Sequence, residues 1–324
     1  MARQKKTARA ILYRLLLALS LLVLCTSAAA AQDALWKTYL DAGAQALAEQ
    51  DYAVAEKRYA LALKEAKTFG EKDARLAVTL LQLALTYAEQ GKFDEAKPRY
   101  VQAIGIWDSS PTMKVEWVAL INRLGTIYKN KGKLAEAASM FELGVSKLEN
   151  ASGAKNPQLI SLYSSLGDIY YALDKYEEAL AAYKHALALR EKRLGTERDE
   201  VAVSSFWVGK CYVGLSKYAE AEPFYQRALN IIVKSSGEES EVAGIILTTI
   251  GDNHAAQKEF ADAERSYEKA LKIKEKTGAS ADVLANLLEK YAAVLSELKR
   301  ENEAAGLAAR AKTLRAKSDK EKER

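Results

Sequence analysis

The sequence predicts an all-α fold, a solenoid of about seven stacked helix-turn-helix units, and three observations carry that prediction. A twelve-residue pattern recurs seven times along the 324 residues. Within each copy, apolar or small residues fall three and four apart, the period of a helix with one buried face. Between neighbouring patterns stand single glycines or polar pairs, such as Gly91, Gly132 and Asp174-Lys175, that suit tight turns.

At the N-terminus, Arg3, Lys5, Lys6, Arg9 and Arg14 precede the apolar run "LLLALSLLVLC" and the small residues "TSAAAAQ". Charge, a short apolar core and a small-residue site make residues 1–31 an expected signal peptide, cut near Ala31. The stretch from Leu15 to Ala31 falls short of the ~20 residues of a comfortable membrane span, so a signal anchor is the second reading. A lipid-modified Cys25 fits less well, because the bulky Leu24 precedes it. The expected location is outside the cytoplasm, periplasmic or secreted, or tethered to a membrane through this segment. The five basic residues also account for the whole formal charge of +5, since no acidic residue precedes Asp33. The remaining chain is balanced, which argues against nucleic acid as a partner. Beyond Cys25 only Cys211 remains, so no internal disulfide is expected after cleavage.

The repeats occupy residues 32–313. Their second halves begin "YAVAEKRYALAL" at Tyr52, "FDEAKPRYVQAI" at Phe93, "LAEAASMFELGV" at Leu134 and "YEEALAAYKHAL" at Tyr176. They continue with "YAEAEPFYQRAL" at Tyr218, "FADAERSYEKAL" at Phe260 and the degraded "ENEAAGLAARAK" at Glu301. Start-to-start spacings are 41 or 42 residues throughout. First halves precede them, as in "LLQLALTYAEQGK" from Leu80 and "LYSSLGDIYYALDK" from Leu162. The expected units are about 34–69, 75–110, 116–150, 158–194, 200–236, 242–278 and 283–313. Gly125 or Gly167 in a first helix, and Ala137 or Ala179 in a second, let the two backbones approach. Tyr170 and Tyr183 are expected to fill the gaps beside them. Aromatics recurring at Tyr170, Tyr176 and Tyr183 are thus a packing rule and not a ligand pocket. His185 stands where other units have Gln102, Gln226 and Glu268, a solvated position. His254 replaces a tyrosine and is expected to be partly buried. Residues 314–324 are expected to be a charged, disordered tail.

"SLGDIYYALDKYEEALAAYKHAL" resembles the tetratricopeptide repeat through Leu166, Gly167, Tyr170, Tyr176, Ala179, Tyr183 and Ala186. Its 41–42-residue period, longer than the ordinary 34, is similar to the kinesin light chain class of that repeat. The resemblance implies a right-handed superhelix with the first helices lining a concave groove, where extended peptides or partner helices lie. It says nearly nothing about which partner.

Helical spacing from the core leucines then gives the candidate groove residues. They are Asn122, Thr126, Lys129 and Asn130, then Ser164, Asp168 and Tyr171, then Phe206 and Lys210, then Thr248 and Asp252. Amides and hydroxyls suit a peptide backbone, the lysines suit carboxylates, and Tyr171 and Phe206 offer apolar anchors. Leu40, Ala44 and Leu47, with Leu81, Leu85 and Ala88, read as an apolar stripe on the same face. It would hold either the chain's own segment around Trp36, a partner helix or a second copy. Pro98 and Pro223 are expected in the first turn of their helices. The chain carries no phosphate loop, paired cysteines, His–Glu metal motif or nucleophile elbow, so no catalytic residue, metal or cofactor is expected. The function read from the sequence is an exported, non-catalytic scaffold for protein or peptide partners, with a membrane-anchored envelope assembly subunit as the alternative.

Overall fold

The computed structural model describes residues 30–108, 116–152 and 156–322. Most of the expected signal peptide therefore lies outside the described residues. The helices are α1 (30–48), α2 (Tyr52–Thr68), α3 (Ala74–Glu89), α4 (Phe93–Asp108), α5 (Glu116–Asn130), α6 (Leu134–Ser152) and α7 (Gln158–Ala172). They continue with α8 (Tyr176–Leu194), α9 (Asp199–Gly214), α10 (Tyr218–Ser236), α11 (Glu241–Ala256), α12 (Phe260–Lys276), α13 (Ala281–Glu297) and α14 (Glu301–Lys322). No strand occurs among the described residues, and no described helix is long and apolar enough to cross a membrane. The chain divides into two compact units, one ending at Met140 and one beginning at Phe141.

Each hairpin turns on one residue in the left-handed region. Gln50, Gly91, Gly132, Asp174, Ser216, Lys258 and Lys299 have φ between 56° and 76° and follow one another at the repeat spacing. The peptide N–H after each reaches back to the last turn, as Lys92 N to Tyr87 O (2.9 Å), Lys175 N to Tyr170 O (2.8 Å) and Glu259 N to His254 O (2.9 Å). These bonds satisfy carbonyls that a helix end would leave open. Only Gly91 and Gly132 occupy the position without steric cost.

In four of the helix pairs, a glycine of the first helix faces a tyrosine ring of the second. A Cβ on Gly43, Gly167, Gly209 or Gly251 would stand 2.5–2.7 Å from the ring of Tyr59, Tyr183, Tyr225 or Tyr267. The expectation placed Tyr183 beside the close approach. It lies directly on it, and the missing Cβ makes room for the ring itself. Tyr59, Tyr183, Tyr225 and Tyr267 are almost wholly buried, with alanines such as Ala179, Ala221 and Ala263 around them. Cys211 is fully buried and unpaired, and burial pushes its thiol up to about 12.

Three expectations need correction. Of the stripe, Leu81, Leu85 and Ala88 are fully buried and Leu47 nearly so, while Leu40 is half-buried and Ala44 exposed. In the first unit α3 touches α2, α4 and α5, so its apolar residues close a core instead of lining an open groove. Trp36 from α1 donates its indole N–H to Thr79 of α3 at 2.9 Å, so of the expected occupants the chain's own segment around Trp36 does meet that helix. Pro98 and Pro223 sit in the second turn, because α4 and α10 begin at Phe93 and Tyr218, directly after the turn residues. Both prolines are exposed, so the carbonyls they leave without a helical partner face water. The expected tail is helical to Lys322: nothing after Gly306 breaks the helix, Ser318 is buried, and Arg315 grips Glu289 at 2.9 Å.

The start of α3 is electrostatically pinned. Arg75 pairs with Asp73 at 2.8 Å and Asp33 at 2.7 Å, and its guanidinium lies 3.4 Å over the Phe69 ring. Asp73 also caps α3 through the Arg75 N–H. Hydrogen bonds from the Arg75 side chain hold the Asp73 carboxyl below the usual range. Its contribution is therefore complete above the unfolded value near 3.8 and is lost as pH falls through the depressed folded one. Protection of the amides in the first turn of α3, taken against the intrinsic exchange rate at each pH, is expected to fall on acidification below about pH 4. Asp73→Asn should lack that protection already at neutral pH and change little with acid.

Candidate functional site

In the first unit α3 touches α5, and in the second α11 touches α13. The candidate residues lie on the first helices α5, α7, α9 and α11. In the first unit Thr126 and Asn130 are exposed, and Asn122 and Lys129 are half-buried. The Thr126 hydroxyl donates to the Asn122 carbonyl at 2.8 Å. The Asn122 side-chain oxygen is buried without a hydrogen-bond partner among the described residues.

In the second unit Ser164, Asp168, Tyr171, Phe206, Lys210, Thr248 and Asp252 are all half-buried. Several are tied into the scaffold. Tyr183 and Tyr267 donate their hydroxyls to Asp168 and Asp252, each at 2.7 Å, and Lys290 pairs with Asp252 at 2.6 Å. Thr126, Asp168, Lys210 and Asp252 are one repeat position. Where it is Lys210, the Tyr225 hydroxyl beneath has no partner among the described residues. Burial raises the Tyr183, Tyr225 and Tyr267 hydroxyls far above their ordinary value, so they remain protonated donors.

Tyr171 meets Trp207 edge-on at 5.4 Å between centroids, and Tyr183 stacks on the same indole at 5.6 Å. Phe206 continues the series onto Tyr225 at 5.6 Å. The two aromatic candidates are therefore partly structural, and Phe206 also opens into a small apolar pocket with Ile232, Ile246 and Val242. His185 is exposed and stacks on Tyr163 at 4.8 Å. His254 is held between Glu259 at 2.7 Å and Glu222 at 3.6 Å. Among the described residues, no cluster of three His, Cys, Asp or Glu side chains could hold a metal ion.

Sequence reasoning missed two residues because it looked only at first helices. Arg190, near the end of α8, reaches between α7 and α9 to the Ser164 and Ser204 hydroxyls. Lys274, near the end of α12, is 94% buried (6% exposed) and lines a cleft with Thr248 and Lys290. Burial lowers both cations below their ordinary values. The signal was available: the same repeat position is Leu148 and Ile232 in other units, so a cation there departs from the pattern.

The sequence pattern of the tetratricopeptide repeat matches residues 37–109, 117–192 and 200–276. No curated protein matches. Among solved structures, the chain is similar to BtubC (BKLC) from P. vanneervenii, with 20% identity, a TM-score of 0.57, and coverage of 74% of this chain and 92% of that one. It is similar to the apo form of RapI, with 16% identity, a TM-score of 0.58, and coverage of 88% and 77%. A putative kinesin light chain from Podosopora anserina with nearly identical TPR-like repeats gives 20% identity, a TM-score of 0.50, and coverage of 64% and 98%. At these identities the likenesses establish the fold.

Proposed function

The chain belongs to the tetratricopeptide repeat family, and from that premise we propose that it is an exported, non-catalytic scaffold that holds extended protein segments against its first helices. The observation that carries this reading is the face itself. In the second unit it presents half-buried hydroxyls, charges and aromatics side by side at the repeat spacing, on helices locked from behind by the tyrosine–glycine contacts. Such a surface is rigid before a partner arrives, which lowers the entropic cost of capture. Export is supported by the basic residues followed by an apolar run at the N-terminus.

Cross-linking in living cells, followed by capture of the full chain, tests the reading. Thr126→Arg with Asn130→Glu, and separately Lys210→Glu, are expected to lose the captured partners. Gln226→Arg, on the exposed side of α10, should retain them. All three variants should melt within about 2 °C of the parent, as surface changes do. Partners lost equally from all three, or from none, would overturn the assignment of the face. The mass of the mature protein tests export: loss of the first ~31 residues is expected, and an intact N-terminus in a membrane fraction contradicts release.

A further inference from the structure

The face that α1 and α2 turn away from α3 departs from the pattern of the inner repeats. Inner first helices pack on the second helix of the pair before them, as α3 does on α2, α9 on α8, α11 on α10 and α13 on α12. Leu76, Leu159 and Val201 are buried in such contacts, whereas Leu35, at the same repeat position in α1, is 41% exposed. Tyr39 and Ala42 of α1 are half-buried where α3 has the buried Leu80 and Leu83.

A terminal repeat ordinarily turns a polar face to water. Here the change of residues runs the other way. Val54 of α2 is 38% exposed, and the other units carry Glu95, Glu136, Glu178, Glu220, Asp262 and Glu303 in its place. Leu61 is 40% exposed and stands where Arg227 and Arg310 pair with Glu191 and Glu275 of the preceding second helix. Apolar side chains gathered on one exposed face mark an interaction surface.

Charge and shape say what covers it. Arg58 and Glu65 flank Leu61 on this face, since their equivalents Ser266 and Ile231 line clefts against the preceding unit. Neither has an ion-pair partner among the described residues. Laid antiparallel on the α2 of a second copy, with the two-fold axis passing between Leu61 and Ala62, Arg58 meets the partner's Glu65 twice over. The contact of Gly43 with Tyr59 fixes the level of α1 against α2, so the same axis passes α1 between Leu40 and Asp41. It sets Tyr39 opposite the partner's small Ala42. One rotation therefore matches charge on α2 and shape on α1.

We infer that this face is the contact of a two-fold homodimer, with α1 on α1 and α2 on α2, each pair antiparallel. At about 1.5 Å per residue and about 10 Å per helix, the face measures roughly 20 by 26 Å, or about 500 Å² from each copy. A total of about 1,000 Å² is at the low end for a specific interface, so dissociation in the micromolar range is expected. The contact uses the same patch on both copies, so assembly stops at two chains.

Sedimentation equilibrium of the protein as its cells mature it, from about 1 to 200 µM, tests the inference. The mass should rise from one chain to two and no further. Val54→Glu, which installs the residue of the other units, and Leu61→Glu should each weaken association by about tenfold or more. Arg58→Glu should do the same by setting acid against acid, and adding Glu65→Arg should restore association to within about threefold of the parent. Val101→Glu, at a 52% exposed valine of α4 and off the end face, should change nothing. Melting temperatures of the dilute variants should agree within about 2 °C, as surface changes do. A monomer throughout the range, masses that climb beyond two chains, or a dimer that ignores the charge exchange overturns the inference.

Discussion

Tyr183→Ala is expected to destabilise the second unit by about 3–5 kcal/mol, the range for removing a buried aromatic side chain. The ring is 2% exposed, lies on the open backbone of Gly167, stacks on Trp207 at 5.6 Å and donates its hydroxyl to Asp168 at 2.7 Å. Truncation removes the ring from a place that neighbouring backbones cannot close, because the turn at Asp174 fixes their separation. It also unties Asp168, one of the residues on the proposed binding face. Tyr183→Phe keeps the ring and should cost only about 1 kcal/mol, the worth of one hydrogen bond. Each repeat rests mainly on its neighbours, so the damage should be local. Hydrogen exchange should quicken in α7, α8 and α9 before it does in α13 and α14. A urea midpoint shifted equally little by both variants would show that the ring is not the wedge described here.

The second large effect comes from adding one carbon. Gly209→Ala would place a Cβ 2.6 Å from the Tyr225 ring, which is fully buried and unable to swing aside. The expected loss is about 1–3 kcal/mol, although alanine is the better helix former. Gly105 is the control. It lies exposed in α4 with nothing within 4 Å of an added Cβ, so Gly105→Ala should stabilise by about 0.5–1 kcal/mol. Combining Gly209→Ala with Tyr225→Leu should return part of the loss, because the smaller side chain frees the space the methyl needs. Strict additivity in that cycle would mean that the two residues do not press on each other.

The helix pairs and their register were legible in the sequence because each rests on local physics, restated seven times. One left-handed turn residue and one small residue in the first helix recur in every unit at the same spacing, and one large residue in the second recurs in all but the last, where Ala308 takes its place. The pairing of Gly167 with Tyr183 could be read as close packing, although the direct contact of ring and glycine could not. The candidate face was half legible. First-helix spacing gave Asp168, Phe206 and Thr248, which do lie along adjacent first helices of the second unit. It could not give Arg190 and Lys274, because they reach that face from helices on the other side of each pair.

What the amino-acid order settled by itself is the repeat: its period, its hairpins and the small-to-large contact inside each one. Periodicity states which side of a helix is apolar, and it is silent on what covers that side. Only the folded chain decided that Leu81, Leu85 and Ala88 are closed in by neighbouring helices, that α14 runs on to Lys322 against α13, and that Arg190 of α8 meets the hydroxyls of α7 and α9. Each of those outcomes depends on residues far apart in the chain meeting in space, and burial is a property of the neighbours as much as of the residue.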